Sequence, residues 1–293
     1  MMSFFHSYTP LFELALFNTL LAFSQYVVLR AGVFSLGTAA FAAIGAYVAA
    51  IVVTTYGLPF WIGIVLAIAI GAMVGALVAI PLARLRGVFQ ALATLALVQI
   101  VLSITLNWVD VTNGALGINS IPKTVGLVGL LIAVAIVTYF MAAIGSSSIG
   151  RAFDVIREDE TVAVSLGISV VKHHFIAFVL SGAIAGLAGA LHSYNSYSIT
   201  PNEYGFNMLV IVLAMVVLGG RVSIWGPIVG AVILTVLPEL LRGFQEYRTV
   251  VQGALLMASI IYLPRGVADT LIGAYRRRRI AEETSRMRET VTA

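Results

Sequence analysis

The chain has 293 residues, of which 60% are hydrophobic and 10% are charged, and its mean hydropathy is +1.02. An ordinary soluble domain carries about 25% charged residues, so this chain lacks the side chains needed to cover a water-facing surface. The composition therefore predicts an all-α membrane protein. The net charge of +4 comes from basic residues at the ends of apolar runs and in one tail, which fits a membrane lipid surface and not nucleic acid. The absence of cysteine excludes disulfides and cysteine-ligated metals within the chain.

Long uncharged runs predict where the chain crosses the bilayer. Residues 31–83 contain no Asp, Glu, Lys or Arg, which gives room for two helices of the roughly 20 apolar residues that a crossing needs. Such runs predict a polytopic helical bundle of about eight or nine spans. The predicted segments are 11–29, 34–55, 60–82, 88–106, 125–144, 174–194, 206–219, 226–241 and 248–263. The short seventh segment and the glycines from Gly219 to Gly226 predict a broken or re-entrant element there.

The positions of lysine and arginine predict the orientation, because short cytoplasmic loops collect basic residues. With nine crossings and a cytoplasmic C-terminus, 14 of the 17 basic residues fall inside. The three left outside are Lys123, Arg242 and Arg248. We therefore expect an external N-terminus, a transmembrane domain over residues 1–275 and a basic cytoplasmic tail over residues 276–293 that binds anionic lipid headgroups.

Residues 145–173 form a long polar segment between two predicted spans, on the cytoplasmic side of this topology. A helix is predicted up to Gly167, which is expected to act as its C-terminal cap. Asp154 and Glu158 are i,i+4 neighbours, and the charges around Arg157 are expected to form a solvated face. A loop that only joins two spans is one interpretation. Because such a loop does not need 29 residues, a docking site for a partner protein is the other.

Small residues recur four positions apart in two predicted spans. One face carries Gly71, Gly75 and Ala79, and the other carries Gly182, Gly186 and Ala190. Small residues at this spacing let helix backbones approach closely in lipid. The pattern predicts tight packing within the chain or, alternatively, a seam with a second membrane subunit.

Polar side chains inside the spans are expected to face protein or a cavity, because lipid cannot satisfy them. The glutamines in question are Gln25, Gln90, Gln99 and Gln252. Gln99 lies near the middle of its span, and together with Ser35 and Thr38 it is a candidate for lining a solute pathway. Hydrogen bonding between helices is the alternative role.

Two patterns that usually indicate chemistry are incomplete here. Residues 117–124 nearly match the phosphate-binding loop, but Pro122 replaces its second glycine and has no N–H to offer a phosphate. His173 and His174 are adjacent and His192 lies 18 residues further on, so the spacing predicts no metal site. We expect no catalytic residue, cofactor or metal in this chain.

Several sequence blocks resemble the permease subunits of ABC importers for branched-chain amino acids, of the LivM type. The blocks GRAFDVIREDETVAVSLGISV, FVLSGAIAGLAGAL and VVLGGRVSIWGPIVGAVILTVLPELL follow one another from residue 150 to residue 241. Further matching blocks occupy residues 35–47, 84–101 and 107–122. The resemblance covers roughly residues 18–272, and a run of blocks in one order is more specific than any single short motif.

The resemblance implies a non-catalytic subunit of an ATP-driven importer in the bacterial inner membrane. The implied cargo is a branched-chain or similar small hydrophobic amino acid. The implied partners are a second related permease, two cytoplasmic ABC ATPase subunits and an external solute-binding protein. The ATPase-coupling loop would be Gly150–Val170, whose matching residues are Arg151, Arg157, Glu158, Asp159, Glu160 and Gly167.

The resemblance leaves the solute open. Thr38 and Gln99 stand where the family usually has a histidine and an acidic residue. Urea, short amides and other small organic solutes are therefore alternative cargoes. An ion-driven secondary transporter is a further alternative, but such proteins usually carry ionisable groups deep in their spans, and these are scarce here.

Overall fold

The computed structural model describes residues 2–240, 253, 257 and 266–270, and over these residues the chain is helical, with a single isolated β-bridge between Ile118 and Ile199. The α-helices are α1 (Met2–Arg30), α2 (Thr38–Thr54), α3 (Phe60–Leu82), α4 (Val88–Asn107), α5 (Val109–Thr112), α6 (Leu127–Ser146), α7 (Ser148–Glu158), α8 (Glu160–Ser165), α9 (Val170–Asn195), α10 (Phe206–Gly219) and α11 (Trp225–Leu240). Two 3₁₀ turns occupy Gly114–Leu116 and Pro201–Tyr204. The all-α class is confirmed.

Six helical segments of the described chain are long and apolar enough to cross a membrane. They are Tyr8–Arg30, Phe60–Leu82, Val88–Asn107, Leu127–Ser146, Val170–Asn195 and Pro201–Gly219. Thr38–Thr54 and Trp225–Glu239 are apolar but shorter. These eight segments coincide with the first eight predicted from the sequence. The ninth, 248–263, falls outside the described residues except at positions 253 and 257, and the tail 276–293 falls outside them entirely, so a count of eight or nine spans stays a prediction.

Helix α9 forms the centre of the bundle, and α1, α2 and α3 pack around it. In its most apolar window 67% of the residues are buried, against 17% for the peripheral helix α6. The α3–α9 contact depends on glycine, which has no side chain, since a Cβ added at Gly182 would come within 2.9 Å of the Gly71 carbonyl carbon. The small-residue faces therefore pack against each other inside the chain, as the first of the two alternatives predicted.

The break predicted near Gly219–Gly226 is present between α10 and α11. Helix α10 ends at Gly219, the chain turns over residues 220–224, and α11 begins at Trp225. The Asp269 carboxylate accepts hydrogen bonds from the backbone N–H groups of Val222 and Ser223 at 2.9 and 2.8 Å. A segment far along the chain thus holds this turn. Whether the element is re-entrant stays a prediction.

The C-terminal end of α1 leads into a turn that contacts the polar segment 145–173. Gly32 has φ +82°, and its N–H donates to the Leu29 carbonyl at 3.2 Å, while Val33 N–H donates to Val28 at 3.0 Å. A Cβ added at Gly32 would lie 3.3 Å from the Arg157 Cα, so α7 packs directly against this turn.

Candidate coupling site

The segment 145–173 folds into two short helices, α7 and α8, where one was predicted. The Ser147 side chain caps α7 by accepting from Gly150 N–H at 3.4 Å. Helix α7 is strongly amphipathic and buries Ala152, Phe153 and Ile156 against the bundle. This apolar face fixes the segment on the membrane domain.

Asp159 interrupts the predicted helix. Its backbone is extended, at φ −159°, and its Oδ1 accepts from the N–H groups of Thr161 and Val162 at 2.7 and 3.2 Å. These bonds to Val162 and Thr161 lower the pKa of the Asp159 carboxyl below its ordinary range, because they favour the ionised form. The prediction of a single helix is therefore wrong, since an aspartate that caps a new helix must leave the old one.

The predicted cap at Gly167 is confirmed. Gly167 has φ +78°, a conformation that favours glycine, and its N–H donates to Val164 at 2.9 Å. Ile168 N–H donates to Ala163 at 2.9 Å in the same turn. The chain then enters α9 through Ser169, whose hydroxyl caps that helix.

The expectation of a solvated charged face is wrong for Arg157. Its side chain is only 12% exposed because α7 turns this position toward the α1 turn. Arg157 Nη2 bonds Glu158 at 3.0 Å, whereas its Nη1 is buried and makes no hydrogen bond with any described residue. Helical spacing alone did not show which face the bundle covers.

Asp154 pairs with a residue from another span, which the sequence analysis missed. Arg30, the last residue of α1, is buried and forms a bidentate pair with the Asp154 carboxylate, with both N–O distances at 2.9 Å. An arginine that ends an apolar helix signals a membrane boundary, but nothing in the sequence links it to a partner 124 positions away.

The remaining predicted residues of the segment are on its surface. Arg151 is exposed and donates to the Ser146 carbonyl at 3.0 Å, and the Glu158 side chain is 78% exposed. Glu160 lies 3.7 Å from Arg86, which is in the turn between α3 and α4. Beside these charges α8 and the turn after it expose three large apolar side chains. They are Val162, Val164 and Leu166. We call these three residues the α8 apolar side chains.

Two of the three predicted pathway residues are buried together. Thr38 Oγ1 donates to Gln25 Oε1 at 2.7 Å, and Gln25 Nε2 donates to the Ser35 carbonyl at 2.6 Å. The Ser35 hydroxyl accepts from Gly37 N–H at 3.2 Å. These groups join α1 to the start of α2, as the alternative role of helix-to-helix bonding describes.

Gln99 is not part of that cluster. It lies on the exposed face of α4, where Ser103 and Asn107 follow at intervals of four residues. Asn107 Nδ2 donates to the Ser103 carbonyl at 2.8 Å. The three residues form a polar line on an otherwise apolar surface, which the sequence analysis did not recognise because it considered the glutamine alone. We call them the α4 polar line.

A bundle of membrane-length helices with a two-helix segment at one end defines a multi-pass membrane protein. The family model described as "Branched-chain amino acid transport system / permease component" matches residues 11–260. The chain belongs to this family, whose members are membrane subunits of transport systems.

Curated relatives carry the same family description. The chain is 34% identical to the high-affinity branched-chain amino acid permease protein LivM of Salmonella typhimurium and to that of Escherichia coli K12, in each case over 82% of this chain. It spans only 65% of the length of these LivM proteins. It is also 22% identical to the probable permease LivH of Methanocaldococcus jannaschii over 78% of this chain and 80% of that protein. No solved structure matches the chain.

Proposed function

We propose that this chain is the permease subunit of an ATP-driven importer that moves branched-chain or similar small hydrophobic amino acids across the bacterial inner membrane. The observation that carries the proposal is the exposure of the α8 apolar side chains, Val162, Val164 and Leu166, in the same segment as the exposed carboxylate of Glu158. Several large apolar side chains exposed together in a charged segment are typical of a site where a partner binds. Hydrolysis of ATP belongs, on this proposal, to two separate ATPase subunits.

The predicted coupling residues divide into two roles. Arg151, Glu158 and Glu160 are accessible at the surface of the segment, and their charges would set the register and specificity of docking. Asp159 and Gly167 shape the segment, because they fix the beginning and the end of α8. Arg157, which is covered, would act inside the protein and not on the ATPase.

Reconstitution of the complex tests the proposal. The chain, a second permease of the family, two ATPase subunits and the binding protein are placed in vesicles, and uptake of labelled leucine is measured with ATP present or withheld at fixed ion gradients. We expect accumulation only with ATP. Accumulation driven by a proton or sodium gradient without ATP would contradict the proposal and favour a secondary transporter.

The α4 polar line supports a pathway role for Gln99, because amide and hydroxyl groups on a lipid-facing surface are costly unless a cavity or a partner covers them. We expect Gln99→Leu to lower uptake more than it lowers expression, whereas equal losses would assign the residue to folding. Ser35→Ala and Thr38→Val test the other two pathway candidates in the same assay. Competition by urea or acetamide against leucine decides between the alternative cargoes.

We also propose a topology with an external N-terminus, a cytoplasmic C-terminus and the segment 145–173 inside. The charge bias and the eight apolar helices support it, with 248–263 as the ninth span. Because the sequence contains no cysteine, a single introduced cysteine is the one position of this chain that a maleimide can label. Leu166→Cys should react with an impermeant maleimide only in inside-out vesicles, and Leu116→Cys only in right-side-out cells. The reverse pattern would contradict this orientation.

A further inference from the structure

Buried and half-buried charges converge where α1 meets the coupling segment. The Arg30 guanidinium forms its bidentate pair with Asp154, and its Nη1 lies 3.4 Å from the Tyr26 hydroxyl. The same guanidinium is 6.0 Å from the centre of the Tyr26 ring. Arg30 is therefore fixed on one side by α7 and on the other by its own helix.

Tyr26 extends this contact to the break between α10 and α11. Its hydroxyl donates to the Val222 carbonyl at 3.1 Å, in the turn that Asp269 holds from the opposite side. Hydrogen bonds thus run without interruption from Asp154 through Arg30 and Tyr26 to Val222. Contiguous hydrogen-bond networks of this kind can carry coupling between distant sites when they include an element with two arrangements.

Asp154 has two cationic partners at different distances. Its Oδ1 bonds Arg30 at 2.9 Å and lies 3.6 Å from Arg157 Nη1, which is buried and bonds no described residue. Two guanidinium groups thus flank one carboxylate: Arg30 forms two short hydrogen bonds with it, whereas Arg157 forms a longer ion pair. A small displacement of α7 over the Gly32 turn would exchange the partner without leaving the carboxylate unpaired.

We propose that Arg30, Tyr26 and Arg157 are positioning residues that carry movement of the coupling segment into the membrane. As α7 moves, Asp154 exchanges its hydrogen bonds with Arg30 for hydrogen bonds with Arg157. Arg30 and Tyr26 can then shift, and loss of the Tyr26–Val222 hydrogen bond lets the turn between α10 and α11 move. This inference rests on the proposed function, since it takes 145–173 as the segment on which the ATPase acts. It concerns how motion enters the bundle, and not which solute is carried.

The test measures solute taken up per ATP hydrolysed by the complete complex in vesicles. Arg30→Met or Asp154→Leu alone leaves a charge without its partner, and we expect each to assemble poorly. The double variant Arg30→Met/Asp154→Leu removes both charges, and apolar replacement of a buried pair usually preserves folding. We expect it to assemble and hydrolyse ATP while uptake per ATP falls about tenfold, a typical coupling ratio. Unchanged uptake per ATP would overturn the proposal.

Two milder variants keep the test decisive if the double variant does not assemble. Tyr26→Phe removes the hydroxyl that contacts Arg30 and Val222. Arg157→Met removes the second cationic partner of Asp154 together with the exposed contact to Glu158. We expect both to hydrolyse ATP with lowered uptake per ATP, and wild-type ratios in both would overturn the proposal. The exposed Arg84→Met at the same inner end is the control and should keep the wild-type ratio. Failure of the wild-type complex to take up solute with ATP would instead contradict the proposed function.

Discussion

The seam between α3 and α9 and the C-terminal end of α1 hold helices together in opposite ways. The seam brings Gly71 and Gly182 so close that no side chain fits between the two backbones. The C-terminal end of α1 instead joins to α7 through the charged pair Arg30–Asp154. The backbone contact leaves no room for adjustment, whereas the Asp154 carboxylate lies between two cations, at 2.9 Å from Arg30 and 3.6 Å from Arg157. The difference suggests that the seam provides the rigid frame and that the charged end provides the moving joint.

The largest effect is expected from a side chain placed in the seam. Gly182→Ala forces α3 and α9 apart, and overpacking of this kind costs about 3 kcal/mol or more where backbone cannot yield. Thermal unfolding of the purified chain in detergent measures the loss. Gly126→Ala is the matched control, because a Cβ there meets nothing within 4 Å. Equal stability of Gly182→Ala and Gly126→Ala would contradict the conclusion that the α3–α9 seam is rigid.

The next effect is expected at the charged joint. Asp154→Asn leaves the buried Arg30 guanidinium without its counter-charge, and we expect the chain to lose about 2 kcal/mol, below the value for a fully buried pair because Asp154 is 39% exposed. Glu158→Gln, on the same helix but at the surface, should change stability little. The measurement is again thermal unfolding. If Asp154→Asn lowered stability as little as Glu158→Gln, the Arg30–Asp154 pair would contribute nothing to holding α7 against α1.

A smaller effect is expected from the neutral polar cluster at the start of α2. Thr38→Val removes the hydrogen bond to Gln25 and leaves a buried amide oxygen unpaired, which costs about 1 kcal/mol. Thr54→Val is the control, since its hydroxyl bonds only the Ala50 carbonyl of its own helix. Denaturant titration of the two variants compares them. A larger loss of stability for Thr54→Val than for Thr38→Val would mean that the Thr38–Gln25 hydrogen bond does not stabilise the fold.

The smallest effect is expected from acid at Asp159. Because its pKa is lowered in the folded chain, the capping contribution is complete above the ordinary aspartate pKa of about 3.9 and is lost as the pH falls through the lowered value. Hydrogen-exchange protection of the Thr161 and Val162 amides should decrease over that range. Asp159→Asn keeps a capping oxygen that does not titrate, so it should remove this pH dependence. An identical decrease in that variant would assign the effect to another group.

The apolar elements could be predicted because their signal is local. The segments 60–82 and 88–106 coincide with α3 and α4 within a residue, since runs of apolar residues between charges mark them directly. Gly167 was predicted for the same reason, because a left-handed cap favours one residue type.

The joint could not be predicted because its partners are far apart in the chain. Arg30 and Asp154 meet only once α1 and α7 are packed, and spacing within α7 did not reveal that Arg157 is covered. Asp159 belongs to a run of charges that suits a helix surface as well as a helix cap. Gln99 was identified, but its separation from Ser35 and Thr38 depends on how α4 is rotated in the bundle.

The central claim is that work enters through the coupling segment, and contact with the ATPase tests it most directly. Val164→Cys would be the single cysteine of the chain and can carry a photoreactive benzophenone, with Tyr139→Cys on the outer surface of α6 as the matched position. Illumination of the assembled complex should link position 164 to an ATPase subunit, with a yield that changes when nucleotide binds, and should not link position 139. An assembled, ATP-hydrolysing complex in which position 164 forms no adduct with the ATPase would contradict the account.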